Sequence, residues 1–207
     1  MAVVTRRAWL TTVSVAPLMR CVTAEMRGVP AARARPLLSG RERIRQHHLP
    51  NVVLTAHTGQ QFRFYDDLVK DKKVILNFMY ADCEGICVPI TSNLKRVARL
   101  LGDRVGRDIF MYSITLKPAD DSSDDLRMYV EHHGVGPGWL FLTGAPGDVE
   151  HLRRALGFSS SDPAEDKDVS NHIGMLRYGV EALTRWGACP GLANPEHIAR
   201  SILWDLE

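Results

Sequence analysis

Cys83 and Cys87 are the residues whose type and spacing most directly suggest chemistry. They stand four apart in Tyr80-Ala81-Asp82-Cys83-Glu84-Gly85-Ile86-Cys87, between an apolar run and a segment with helical periodicity. Side chains four apart at the start of a helix project from one side, so their sulfurs can reach a single metal ion or each other. A helix N-terminus stabilises negative charge and lowers a thiol's pKa. Thiolate is the form required both for metal binding and for nucleophilic attack. Soft thiolates favour copper(I) or zinc over harder cations.

Two sulfurs leave either ion incompletely coordinated. The best third donor is His172, which closes Asp168-Val169-Ser170-Asn171-His172 just before an apolar segment at 173–178. Two thiolates and an imidazole suit three-coordinate copper(I), with room for a further ligand when copper is oxidised. The plainer alternatives are a pair of small cysteines packed under the helix and a loop histidine bonded to backbone.

The surrounding elements must bring these groups together. Residues 73–80 (KVILNFMY) form a continuous apolar run, as expected of a strand buried on both faces. Ile90, Leu94, Val97, Ala98 and Leu101 recur at helical spacing and Gly102 follows as a stop. A second buried strand is expected at 108–116, then a helix capped by Ser122 or Ser123 and stopped by Gly134. Further strands are expected at 139–143 and 173–178. Helices are expected at 146–156, with Pro146 early and Gly157 just past its end, and from Pro195 behind a cap at Asn194. Residues 51–54 and 61–64 read as a short hairpin around Thr58-Gly59. Strands alternating with helices define an α/β layered fold.

Residues 1–48 read as export signal and basic linker, and 49–207 as the folded domain. Arg6-Arg7 precedes a short apolar stretch broken by Pro17, too short to span a bilayer, which needs roughly 20 apolar residues. The paired arginines are similar to a twin-arginine leader, which implies a periplasmic location. Cleavage sites are offered at Val22-Thr23-Ala24 and Ala32-Arg33-Ala34, and a plain basic tail is the alternative. The linker carries Arg27, Arg33, Arg35, Arg41, Arg43 and Arg45 with only Glu42 among the last of them. It reads as a solvated tether that can approach an anionic membrane surface. Overall, 26 basic residues face 24 acidic ones for a net charge of +2, which argues against a dedicated nucleic-acid binder. Four cysteines in 207 residues are too few for a disulfide framework.

The strand end NFMYADC, the Cys83 to Cys87 spacing and the segment around His172 resemble the Sco/SenC family of copper metallochaperones, over about 49–206. The resemblance implies a thioredoxin-like fold, with a central mixed sheet flanked by helices. It implies copper as the bound ion, Cys83, Cys87 and His172 as its ligands, and a redox-active Cys83–Cys87 disulfide. Asp168 would be a supporting acid beside the histidine. The implied partners are a copper donor chaperone and a copper-receiving client, such as the cytochrome c oxidase subunit that carries the binuclear copper centre. The family loop usually runs C-P-x-x-C-P. Here Glu84 and Gly85 take the places of its first proline and middle acid, and the later proline falls at Pro89, which marks a divergent branch.

On this reading the chain is a carrier rather than an enzyme. The competing function is a thiol-disulfide oxidoreductase that reduces client cysteines before metallation, although such proteins generally use C-x-x-C. A peroxidase of the same fold is weaker, because nothing marks one cysteine as peroxidatic. Cys189, in Gly-Ala-Cys-Pro-Gly, reads as an unpaired cysteine in a turn rather than an extra site thiol. His47-His48 reads as solvated linker and His132-His133 as a helix end. Trp139, Trp186 and Trp204 read as packing residues.

Overall fold

The structure is a computed structural model that describes residues 39–83, 85–167 and 174–206. At its centre lie three parallel strands, β3 (Lys73–Met79), β4 (Ile109–Thr115) and β5 (Trp139–Gly144). The register pairs Lys73 with Ile109 and Met79 with Thr115, so β3 and β4 end level with each other. The hairpin of β1 (Val53–Ala56) and β2 (Gln61–Arg63) adds antiparallel to β5. On the other side β6 (Met175–Val180) runs antiparallel to β3, and β7 (Arg185–Pro190) antiparallel to β6. The resulting seven-stranded order is β2-β1-β5-β4-β3-β6-β7.

The continuous apolar character of β3 has a structural reason. Alternate side chains enter two separate cores. Ile75 and Met79 join Met111, Phe141 and Leu176 on one face, under α2 (Cys87–Leu101), α3 (Ser123–His132) and α6 (Pro195–Leu206). Val74, Leu76 and Phe78 join Tyr112 and Leu142 on the other, under α4 (Pro146–Ala155) and a single π-type turn at Phe64–Val69. Each large apolar side chain fully buried this way contributes about 1.5–3 kcal/mol. The few polar groups inside are paired: Ser113 donates to Asn77 at 2.7 Å and accepts from the Trp139 indole at 2.8 Å. This is the expected thioredoxin-like arrangement of a mixed sheet between helical layers.

The helix boundaries follow local chemistry. Ser122 accepts from the Asp125 N–H while Asp125 reaches back to the Ser122 N–H, which closes a capping box on α3. Gly102 ends α2 at a φ of 63° that disfavours residues with a Cβ.

Four features differ from expectation. Residues Gly40–His48 form a helix, α1, although they lie in the stretch assigned to linker, and the folded part therefore starts before Leu49. Ser39 caps α1 and Glu42 pairs with Arg45 on its surface, a polar mode of support that leaves no apolar stripe. Arg185–Pro190 is a strand where a turn was expected. It is an edge strand with an irregular burial pattern, and Gly187 lets the Tyr178 ring lie flat against it, where a Cβ would come within 2.8 Å. Third, Trp204 is 82% exposed and packs into neither core. A short helix, α5 (Pro163–Lys167), was also not anticipated.

Candidate functional site

The two thiols lie where β3 passes into α2. After Met79 the chain turns at Tyr80, with the Cys83 N–H donating to the Tyr80 carbonyl at 3.4 Å, and Cys87 is the first residue of α2. Two ties hold this turn to the end of β4. The Leu116 N–H donates to the Met79 carbonyl at 2.7 Å, and the Ala81 N–H donates to the Asp121 carboxylate at 3.1 Å. Asp121 is buried and also accepts from the Thr115 hydroxyl. Burial holds its carboxyl above the ordinary range, against the pull of those donors.

Both cysteines are thiols outside any disulfide and nearly inaccessible, yet their environments differ. Burial works against charge on Cys83. The Cys87 thiol, the N–H groups of Cys87 and Gly85, and the Tyr80 hydroxyl all donate to its sulfur, and together they hold it below the usual thiol range. Deeper burial, together with donation to Cys83, pushes Cys87 well up. Of the two, Cys83 is the thiol whose charged form its surroundings favour. Burial and the hydrogen bond to Cys83 push the Tyr80 phenol up to about 12, so at neutral pH it is a donor. Lys117 lies 4.1 Å over the Tyr80 ring and pairs with Asp82 at 3.0 Å.

The other wall of the site is Gly174, immediately before β6. A Cβ there would lie 2.6 Å from Ile86 Cδ1 and 3.1 Å from Ile90 Cδ1, so a larger residue would have to push these side-chain ends aside, and Ile86 stands between the two cysteines in sequence. The Gly191 N–H donates to the Gly174 carbonyl at 2.7 Å. The Asn93 amide of α2 donates to the carbonyls of Gly191 and Ala193 at 2.9 and 2.8 Å. The start of β6 is therefore fastened to the first turns of α2. His172 and Asp168 lie outside the described residues, as do the leader arginines and Cys21.

The remaining candidates take structural places. Cys189 lies across from Leu176 on β7, half-buried against the core that contains the thiol pair, and burial raises its pKa. Among the described residues no three of His, Cys, Asp and Glu cluster as a metal site, so Cys189 does not join the pair. His133 packs on Tyr129 at the end of α3, His47 and His48 contact each other at the end of α1, and Trp139 is core. A cavity of about 650 Å³ lies under α1, away from the thiols. Its two glutamates are already engaged: Glu181 accepts from the Tyr65 hydroxyl and the Asp71 N–H, and Glu42 holds Arg45. Sequence inspection did not single out Tyr80, Lys117 or Asp121 for the site. Tyr80, three residues before Cys83, carried the only local signal.

A dithiol placed where a central parallel strand meets its helix, in a mixed sheet between helical layers, defines a thioredoxin-like dithiol protein. Residues 41–202 match SCO1/SenC, and the chain belongs to that family. A curated Stutzerimonas stutzeri protein described as copper-binding is 28% identical over 134 residues, 64% of this chain and 64% of that protein's length. Copper-bound ScoI of Arabidopsis thaliana superposes with a TM-score of 0.60 at 16% identity, over 76% of this chain and 97% of that one. BsSco, described as a member of the Sco family of cytochrome c oxidase assembly proteins with a disulfide switch, does so with 0.61 at 16%, over 76% and 92%. At these identities the structural likeness is one of fold.

Proposed function

We propose that this chain carries copper, held by Cys83, Cys87 and His172, and delivers it to a respiratory copper enzyme. Its client on this proposal is the subunit of cytochrome c oxidase with the binuclear copper centre, and a donor chaperone loads it. The donor set suits the cargo, because two sulfurs and an imidazole are soft ligands that prefer copper(I) to harder cations. The donors around Cys83 favour its thiolate. Cys87 gives up its proton on loading, which makes binding weaker as the pH falls.

The observation that carries this proposal is the fastening of Gly174 against Ile86. Covalent geometry keeps residue 172 within roughly 7 Å of Gly174 along the chain. On this proposal the histidine completes the site with the thiol pair, and Asp168 supports it from the same segment. Copper belongs to the proposal through family membership and the copper-binding relatives. Residues 1–38 serve as a twin-arginine-type export leader and tether, and the carrier works in the periplasm near the membrane.

The unequal thiols favour one second reading, a thiol-disulfide reductase. There the Cys83 thiolate attacks a client disulfide, releases one client thiolate and leaves a mixed disulfide. Cys87 then loses its proton and closes the Cys83–Cys87 disulfide, expelling the second client thiolate. Counting copper bound by wild type, Cys83→Ser, Cys87→Ser and His172→Ala distinguishes the two. One copper per chain, lost in all three variants, supports the carrier. No copper in the wild type with rapid reduction of a disulfide substrate leaves the reductase instead.

A further inference from the structure

We infer that Tyr80 is a positioning residue for Cys83, its hydroxyl donating to the Cys83 sulfur while Lys117 clamps and polarises the phenol from the ring face. The copper arm of the test rests on the carrier proposal; the thiol arm does not.

The Cys83 sulfur receives four donors, and three of them are backbone groups or the other cysteine. Only the Tyr80 hydroxyl can be removed without altering the loop itself. Tyr80 has little freedom. It follows β3 directly, is 7% exposed, and has Lys117 across one face of its ring. Lys117 reaches it because β3 and β4 end level, Met79 beside Thr115, and the Lys117 N–H is fixed by the Thr115 hydroxyl at 2.9 Å. Its ammonium is held by Asp82, the neighbour of Cys83, through both carboxylate oxygens at 3.0 and 3.2 Å. The contacts form a closed ring, Cys83 to Tyr80 to Lys117 to Asp82 and back along the chain to Cys83.

A cation over an aromatic face draws electron density from the ring, which strengthens the hydroxyl as a donor. A sulfur bearing negative charge accepts that hydrogen bond well, whereas a disulfide sulfur is neutral and a poor acceptor. The ring of contacts therefore favours the reduced pair. The couple is the Cys83–Cys87 disulfide plus two protons and two electrons giving the dithiol. In the assay two glutathione thiols supply these as they become glutathione disulfide.

The experiment titrates metal-free wild type, Tyr80→Phe and Lys117→Met against glutathione redox buffers at neutral pH, reading the disulfide fraction. Tyr80→Phe removes one oxygen and shifts the equilibrium toward disulfide about tenfold, equivalent to about 30 mV for a two-electron couple. Lys117→Met shifts it the same way by a smaller factor, and adds nothing in the Tyr80→Phe background, because its effect passes through the phenol. In copper(II)-loaded protein the sulfur-to-copper charge-transfer band of Tyr80→Phe moves to lower energy, since a sulfur without its donor is more electron-rich. A Tyr80→Phe potential within twofold of wild type overturns the inference, and so does a Lys117→Met effect that persists undiminished in the double variant. Should Tyr80→Phe unfold, Lys117→Met decides alone: no shift in its potential overturns the inference. A wild type that binds no copper sinks the carrier proposal and leaves the glutathione result standing.

Discussion

Gly174 meets Ile86 so closely that a Cβ on residue 174 would come within 2.6 Å of the isoleucine Cδ1. The contact joins the start of β6 to the loop between the thiols. Gly174→Val forces Ile86 and Ile90 aside, an overpacking that costs about 1–3 kcal/mol. Copper affinity falls at least tenfold while the far-ultraviolet circular dichroism is retained. Isothermal titration and urea unfolding measure the two effects on one sample, and unchanged affinity would falsify a role for the Gly174–Ile86 contact in copper binding.

The thiols differ in reactivity before any metal is present. Burial opposes charge on Cys83, but its four hydrogen-bond donors prevail and lower its pKa, while burial raises that of Cys87. In metal-free, reduced protein iodoacetamide labels Cys83 first, with a rate whose pH midpoint lies below that of Cys87 and of Cys189. Peptide mapping by mass spectrometry assigns the labels. Equal labelling of both site cysteines contradicts the asymmetry.

Asp121 ties the turn before the thiols to the end of β4. Asp121→Ala leaves the Ala81 N–H and the Thr115 hydroxyl without their buried acceptor. Unsatisfied buried groups of this kind cost about 1–3 kcal/mol each. The denaturation midpoint drops, and the loop amides at 80–83 exchange hydrogen faster than those of β4. Loss spread evenly over the whole sheet would indicate a general packing defect instead.

Acid sensitivity has a source away from the thiols. Arg153 grips Asp166 at 2.7 and 2.9 Å and lowers its carboxyl far below the ordinary 3.8. A depressed acid contributes stability that is present above its unfolded pKa and lost as pH falls through the folded value. Stability therefore declines on acidification below 3.8. Asp166→Asn lowers stability at neutral pH and makes that acid-side decline shallower, as read from urea midpoints across the range. An unchanged slope rules out the Arg153 pair as its origin.

Much of the fold was legible because its signals are local. The apolar runs of β3 and β4 reflect burial on both faces, and Ser122, Gly102 and Pro146 punctuate their helices by side-chain or backbone chemistry. Helix α1 was missed because Glu42 and Arg45 support it without apolar periodicity. Strand β7 was missed because Gly187, Cys189 and Pro190 break the alternation and its partner β6 dictates its conformation. The thiol pair was visible from residue type and spacing. The Tyr80–Lys117–Asp82 contacts were not, since they exist only where the parallel register brings the ends of β3 and β4 side by side.

The antiparallel pairing of β6 with β3 joins segments about a hundred residues apart, Lys73 opposite Val180. Such a contact closes a long loop and is made late, after most of the chain is available. During synthesis the two sulfurs emerge well before β6 does. A growing or partly refolded chain thus presents an exposed dithiol open to air oxidation and wrong pairing until the sheet closes. Reducing conditions during refolding will therefore govern the yield of protein with its thiol pair intact.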